Sequence, residues 1–149
     1  RTPYNEPNAR GVYFGLSMMH EQGHMVRATM EGILFNLKEC LGILDEMKVD
    51  RSRLIASGGA ARGVTWKQIQ ADILDMPVHT TEIKEEACHG AAILAGVGVG
   101  LYANIKEACE RTIRMSTAVV EPIPEHVKIY NEKQQIFHDL YFRVKDLYQ

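Results

Sequence analysis

The chain has 149 residues, 46% of them apolar and 24% charged, with a formal net charge of −2. That suffices for one domain with a real core and is short for two; the charge gives no global attraction to nucleic acid or to an anionic membrane. Cys40, Cys88 and Cys109 form no C-x-x-C pair, which argues against a disulfide framework or a cysteine zinc site and suits a reducing, cytoplasmic compartment.

Taken in chain order, Arg1 to about His20 has loop chemistry around one apolar patch, Val12-Tyr13-Phe14. The opening, Arg1 to Asn8, carries no initiator Met and two prolines, and reads as an internal loop of a longer polypeptide. From about Gln22 to Met47, Met30, Ile33/Leu34, Leu37, Leu41 and Leu44 recur at helical spacing, which predicts one long amphipathic helix. Val49 to Ser52 forms a turn. Leu54-Ile55-Ala56-Ser57, bounded by Gly58-Gly59, reads as a buried strand.

A second helix is expected over about Val64–Leu74, with Trp66, Ile69 and Ile73 on one face. Pro77 to Thr80 reads as a second strand, Glu85 to about Leu101 as a third helix and Ile105 to Arg114 as a fourth. Thr117 to Val120 is a candidate edge strand ended by Pro122. The last helix begins near Pro124, and Val127, Tyr130, Gln134, Phe137, Tyr141, Val144 and Tyr148 form its inward stripe. The alternation implies an α/β domain with a small, mostly parallel sheet. So few strands make a thin sheet, which again points to further strands upstream.

The chemistry-bearing candidate is the turn after the first strand, Ser57-Gly58-Gly59-Ala60-Ala61-Arg62-Gly63. Two glycines there remove two Cβ atoms and allow positive φ. The following helix directs its N–H groups and positive dipole end to the same spot, which suits a phosphate. Ligands of open α/β sheets collect at this edge. Arg62 is placed to reach a phosphate, or equally to sit exposed.

The stretch Leu54 to Leu74, with Gly58-Gly59-Ala60 and then Trp66, Gln68, Ala71 and Asp72, strongly resembles the FGGY carbohydrate kinases. Their pattern there is Gly-Gly-(Gly/Ala), then Trp-x-Gln-x-x-Ala-Asp. Met76-Pro77-Val78, Glu85 to Ala95, Gly11 to Leu16 and His24 to Glu31 agree in order and spacing, and the aromatic last helix is similar to the tails of xylulokinase-like members. The resemblance implies part of an actin/hexokinase-like (ribonuclease H-like) C-terminal lobe, residues 1–149 as one domain, in an enzyme that phosphorylates a sugar or polyol with ATP and Mg. Xylulose is the first substrate to consider; gluconate and glycerol are others.

By position, the resemblance makes Gly58, Gly59, Ala60 and Gly63 nucleotide-binding residues, with Arg62 a candidate phosphate contact. At Gly63 several relatives carry Asn or Ser, and glycine leaves only a backbone role. The catalytic Asp, the N-terminal sugar lobe and the first strands of this lobe would precede this chain, leaving it inactive alone. A cytoplasmic homodimer, binding neither nucleic acid nor membrane, is compatible with this picture.

Other patterns compete. His20-Glu21-Gln22-Gly23-His24 satisfies H-E-x-x-H, in which two histidines on one helix face hold zinc and Glu is the base. Gly23 weakens that helix, and a role at the helix start is preferred. A non-catalytic binding module is the other alternative. Gly96-Val97-Gly98-Val99-Gly100 follows a helix rather than a strand, so with Gly90, Ala91, Ala92 and Ala95 it reads as a small-residue face packed on the sheet. Glu85 and Glu86 suit a helix start, and helix burial is expected for Cys88 and His89.

Overall fold

The computed structural model describes residues 3–51 and 53–148. Arg1, Thr2, Ser52 and Gln149, together with the side chain of Ala60, lie outside that description. The first two positions of the expected opening loop and the last of the expected 49–52 turn are among them.

Among the described residues, five α-helices and two short strands follow in the order α1 (Gln22–Glu46), β1 (Leu54–Ala56), a 3₁₀ turn (Gly58–Arg62), α2 (Val64–Leu74), β2 (Val78–Thr80), α3 (Glu86–Gly98), α4 (Ile105–Thr112) and α5 (Pro124–Val144). A final 3₁₀ turn spans Lys145–Leu147. β1 and β2 are parallel, with Leu54 opposite Val78, Ile55 opposite His79 and Ala56 opposite Thr80. Of the expected edge strand over Thr117 to Val120 there is one isolated antiparallel bridge, Val78 with Val120; a second bridge, Thr81 with Met115, lies upstream of it. Val78 and Val120 exchange both backbone hydrogen bonds, at 2.9 and 3.0 Å. Pro122 cannot donate to a ladder, which limits how far the pairing runs.

The core lies between α1, α2 and α5, where Leu34, Phe35, Ile69, Ile73, Leu74 and Tyr130 are buried and Met30, Leu41, Leu54, Trp66 and Phe137 pack around them. The expected faces of α2 and α5 are those that turn inward. On α1 the face is rotated: Phe35 is buried, while Ile33 and Leu37 are 57% and 40% exposed. A second cluster, Ala56, Ala71 and Val78, joins α2 to the strands, the small side chain of Ala71 letting the helix sit close. Lys48 and Asp75, at φ 57° and 53°, turn the chain just beyond α1 and α2 without a glycine.

α1 and α5 are also stitched by polar contacts. Tyr130 Oη donates to Glu31 (2.8 Å) and accepts from Arg27 (2.6 Å). Lys38 donates to Asn131 at 2.7 Å. Gln134 donates to the Phe35 carbonyl and to Glu39, and His138 Nδ1 lies 3.0 Å from Glu39. Tyr4 stacks on Tyr141 with ring centroids 4.1 Å apart, and its hydroxyl donates to Glu39.

The Trp66 to Asp72 stretch serves the architecture. Asp72 is 1% exposed. Its Oδ1 accepts from the Ile123 N–H (2.9 Å) and from Gln68 Nε2 (2.8 Å), and its Oδ2 lies 2.8 Å from His126 Nδ1. A carboxylate on α2 thereby ties down the first turn of α5, next to Pro124.

α3 ends at Gly98, earlier than the expected Leu101, and packs mainly on α4. The glycine-rich tail is not a face laid on the sheet. Ala91, Ala92 and Ala95 are exposed, and a Cβ built on Gly90, Gly98 or Gly100 meets nothing within 4 Å. Only Gly96 is tightly packed: its Cβ would stand 2.8 Å from the Tyr102 ring, because Leu101 and Tyr102 fold back to its carbonyl. Cys88 is exposed rather than buried, and half-buried His89 shares a hydrogen bond with Thr112 at 3.0 Å.

Candidate functional site

Because β1 and β2 are parallel and in register through Thr80, the segments that follow them leave the sheet side by side. One is Ser57 to Gly63 and the other Thr81 to Glu85. This is the edge at which open α/β sheets take ligands.

Along the first segment, Ser57 is extended at φ −132° and leads into the 3₁₀ turn without capping it through its side chain. Gly58 lies at φ +68°, the left-handed region that a side chain penalises. Gly59 does not need that freedom, since its φ is not positive. Over both glycines the space is open, with nothing within 4 Å of a built Cβ. The two glycines thus do different jobs: Gly58 turns the chain, and Gly59 leaves backbone uncovered. Gly63, at φ −82° and ψ 118°, starts α2 with no side-chain cap, and its carbonyl accepts from the Lys67 N–H at 3.0 Å. The first turn of α2 thus lies beside the glycine turn without a side-chain cap.

The second segment grips the first. Glu86, in the opening turn of α3, accepts the Gly58 N–H on Oε1 at 3.0 Å. The N–H groups of Gly58 and of Glu86 itself hold its carboxyl below the usual carboxylate range, with a smaller contribution from Arg62. Arg62, at the far end of the turn, donates to the Lys84 carbonyl at 3.3 Å and lies 4.0 Å from Glu85. Its side chain is 69% exposed, so this ion pair adds little by itself. The role of Glu86 was not read from the sequence; the only signal there was an acid at a helix start.

The other patterns disperse. His20 precedes α1 rather than sharing its face with His24. Each Nδ1 is taken by a backbone donor, the Ser17 N–H for His20 (2.9 Å) and the Glu21 N–H for His24 (3.1 Å). These are helix-start contacts. Among the described residues no group of three His, Cys, Asp or Glu side chains could hold a metal ion, and no described helix is long and apolar enough to cross a membrane. A separate apolar groove runs between α3 and α4, lined by Ile83, Ile93, Leu94, Ile105 and Ile113, with Glu86 and His89 at its polar margin.

Comparison with known proteins bears on the family and the fold. Residues 1–99 match the profile of the FGGY family of carbohydrate kinases, C-terminal domain. The xylulose kinase of Bacillus subtilis is 33% identical over 147 residues, 99% of this chain and 29% of its own length. The gluconokinase of the same organism is 38% identical over 144 residues, 94% of this chain and 27% of its own length. Ligand-bound xylulose kinase from Lactobacillus acidophilus superposes with a TM-score of 0.82 at 26% identity, covering 95% of this chain and 28% of that one. The chain therefore spans under a third of the length of these relatives, and its helix-rich α/β architecture with a small parallel sheet is that of their actin/hexokinase-like fold. Since the family profile covers 99 of 149 residues, from the opening loop through α3, the chain belongs to the FGGY family of carbohydrate kinases, of which it carries the C-terminal domain.

Proposed function

We propose that this chain, as a single domain, forms the nucleotide-side wall of the cleft of a kinase that transfers a phosphoryl group from ATP to a sugar or polyol hydroxyl. The observation that carries the reading is the open space over Gly58 and Gly59, at the carboxyl end of a parallel strand pair. Gly58, Gly59 and Ala60 line the nucleotide, and Gly63 contributes backbone only. The uncapped start of α2 and the remaining donors of Arg62 face its phosphates. Phosphoryl transfer demands positioning and charge neutralisation more than covalent chemistry from the protein, and positioning is what such a wall supplies.

No catalytic base is assigned to this chain. No Mg ligand is assigned to this chain: the Mg that neutralises the phosphates is carried by ATP and held mainly by other parts of the polypeptide. The names of the relatives favour xylulose as acceptor, with gluconate next. The unpaired cysteines suit a cytoplasmic enzyme. ATP, ADP and the sugar are its partners, and a homodimer is compatible with them.

Titration of the intact polypeptide with MgATP tests the reading. Gly59→Arg should abolish binding while the fold survives, because the added side chain meets open space and an ordinary φ. Undiminished affinity in that variant would remove the loop from the nucleotide site. Absence of MgATP binding by the unaltered protein would favour a non-catalytic module.

A further inference from the structure

We propose that Glu86 is a positioning residue for the nucleotide loop: from the first turn of α3, its carboxylate holds Gly58 in the left-handed turn that leaves Gly59 uncovered. The inference rests on the nucleotide role proposed for this loop.

Ala61 packs this turn against Ala56, Ala71 and Val78, but the glycine start of the turn has little of its own to hold its shape. Gly58 occupies a region of φ that it adopts readily but has no intrinsic reason to keep, since glycine populates both signs of φ about equally. Ser57 supplies no side-chain cap to the 3₁₀ turn, and no side chain packs over either glycine within 4 Å of a built Cβ. A glycine start without cap or cover samples several conformations, and a ligand that needs one of them is bound more weakly by the fraction not in it. The contact that selects one is the 3.0 Å hydrogen bond from the Gly58 N–H to Glu86, 28 residues away in sequence.

Glu86 is suited to this. It sits on a helix of 13 residues rather than a loop, and bonds between an N–H and a carboxylate are stronger than neutral ones. At the other end of the turn, Arg62 reaches the Lys84 carbonyl on the same β2–α3 segment. Both ends of the turn are thus fastened to one neighbour, and the open backbone lies between the fastenings. Glu86 also borders the α3–α4 groove, so a shift of α3 would be transmitted to Gly58.

The test uses the intact polypeptide with Glu86→Ala, Glu86→Gln and Glu86→Ser. Gln keeps an acceptor of the same reach. Ser supports a helix start but is too short for Gly58, which separates loss of the clamp from damage to α3. Amide hydrogen exchange over residues 57–63 reads the clamp, and MgATP titration reads its consequence. We expect Ala and Ser to accelerate exchange in that segment and to raise the Kd for MgATP about five- to tenfold, with Gln, a neutral acceptor, falling between them and the unaltered protein. Unchanged exchange in the Ala and Ser variants overturns the clamp. Faster exchange with unchanged Kd overturns its positioning role, as does equal weakening by Gln and Ala. Tighter binding in the Ala variant would make Glu86 a competitor of the nucleotide and equally overturn the proposal. Failure of the unaltered protein to bind MgATP would instead defeat the kinase reading, with exchange alone still reporting whether Glu86 holds the turn.

Discussion

Removing the Asp72 carboxylate is the most direct test of how α5 is held. The side chain is 1% exposed and accepts from the Ile123 N–H and from Gln68, with His126 against its second oxygen. Asp72→Ala leaves those groups in unequal positions. Gln68 keeps the Glu121 carbonyl at 3.1 Å as an alternative partner, and His126, with a side chain 47% exposed, turns to water. The Ile123 N–H, part-buried in this bond, loses its acceptor, at a cost of about 1–3 kcal/mol. The small void left in a buried position adds on the order of 1 kcal/mol. The expected loss is about 2–4 kcal/mol, or roughly 4–16 °C in Tm for a domain of this size. Asp72→Asn retains an oxygen for Ile123 and Gln68 and should lose about 1 kcal/mol. Urea unfolding, followed through the fluorescence of Trp66, the sole tryptophan of the chain, measures both. An Ala variant within about 1 kcal/mol of the unaltered protein, or an Asn variant as damaged as Ala, would refute the reasoning.

Two further outcomes are expected. Gly96→Ala should destabilise by about 1–3 kcal/mol through its clash with the Tyr102 ring; the double variant with Tyr102→Ala should cost less than the sum of the two single changes in the same assay. Tyr4 has its phenol pushed up from 10.0 to about 12, first by burial, then by the charge of Glu39 and the hydrogen bond to it. The folded state therefore keeps this proton more tightly than the unfolded chain. Its contribution is whole below pH 10 and disappears as pH rises from 10 towards about 12. The difference in urea midpoint between the unaltered protein and Tyr4→Phe should shrink across that window, and a constant difference would remove the coupling.

Elements governed by local patterning were legible in the sequence. α2 runs from Val64 to Leu74 as read, and every position of the α5 stripe from Val127 to Tyr148 is buried or half-buried. Glycines around an apolar run marked the turn after β1. Less legible was whatever depends on what faces an element. Ile33 and Phe35 are both apolar neighbours of Leu34, and it is Phe35 that turns inward, against Tyr130 and Phe137 of α5. The run from Val97 to Leu101 is as apolar as the helix before it, yet Gly100 at φ +75° turns it back on Gly96. For the candidate site, the glycines were visible as a pair but not their division of labour. The link from Gly58 to Glu86 was invisible because parallel pairing, rather than sequence proximity, brings the two segments together.

The polar stitches between α1 and α5 have a consequence for how the two helices are aligned. Apolar stripes tolerate sliding, since one hydrophobic neighbour substitutes for another. Moving α5 by one turn, about 5.4 Å, would strand Arg27, Glu31 and Tyr130 at one end and Glu39, Gln134 and His138 at the other, with Lys38 and Asn131 between them. The seam works as an index: it leaves one setting in which these hydrogen bonds all form together, and so fixes where along α1 the whole C-terminal helix comes to rest.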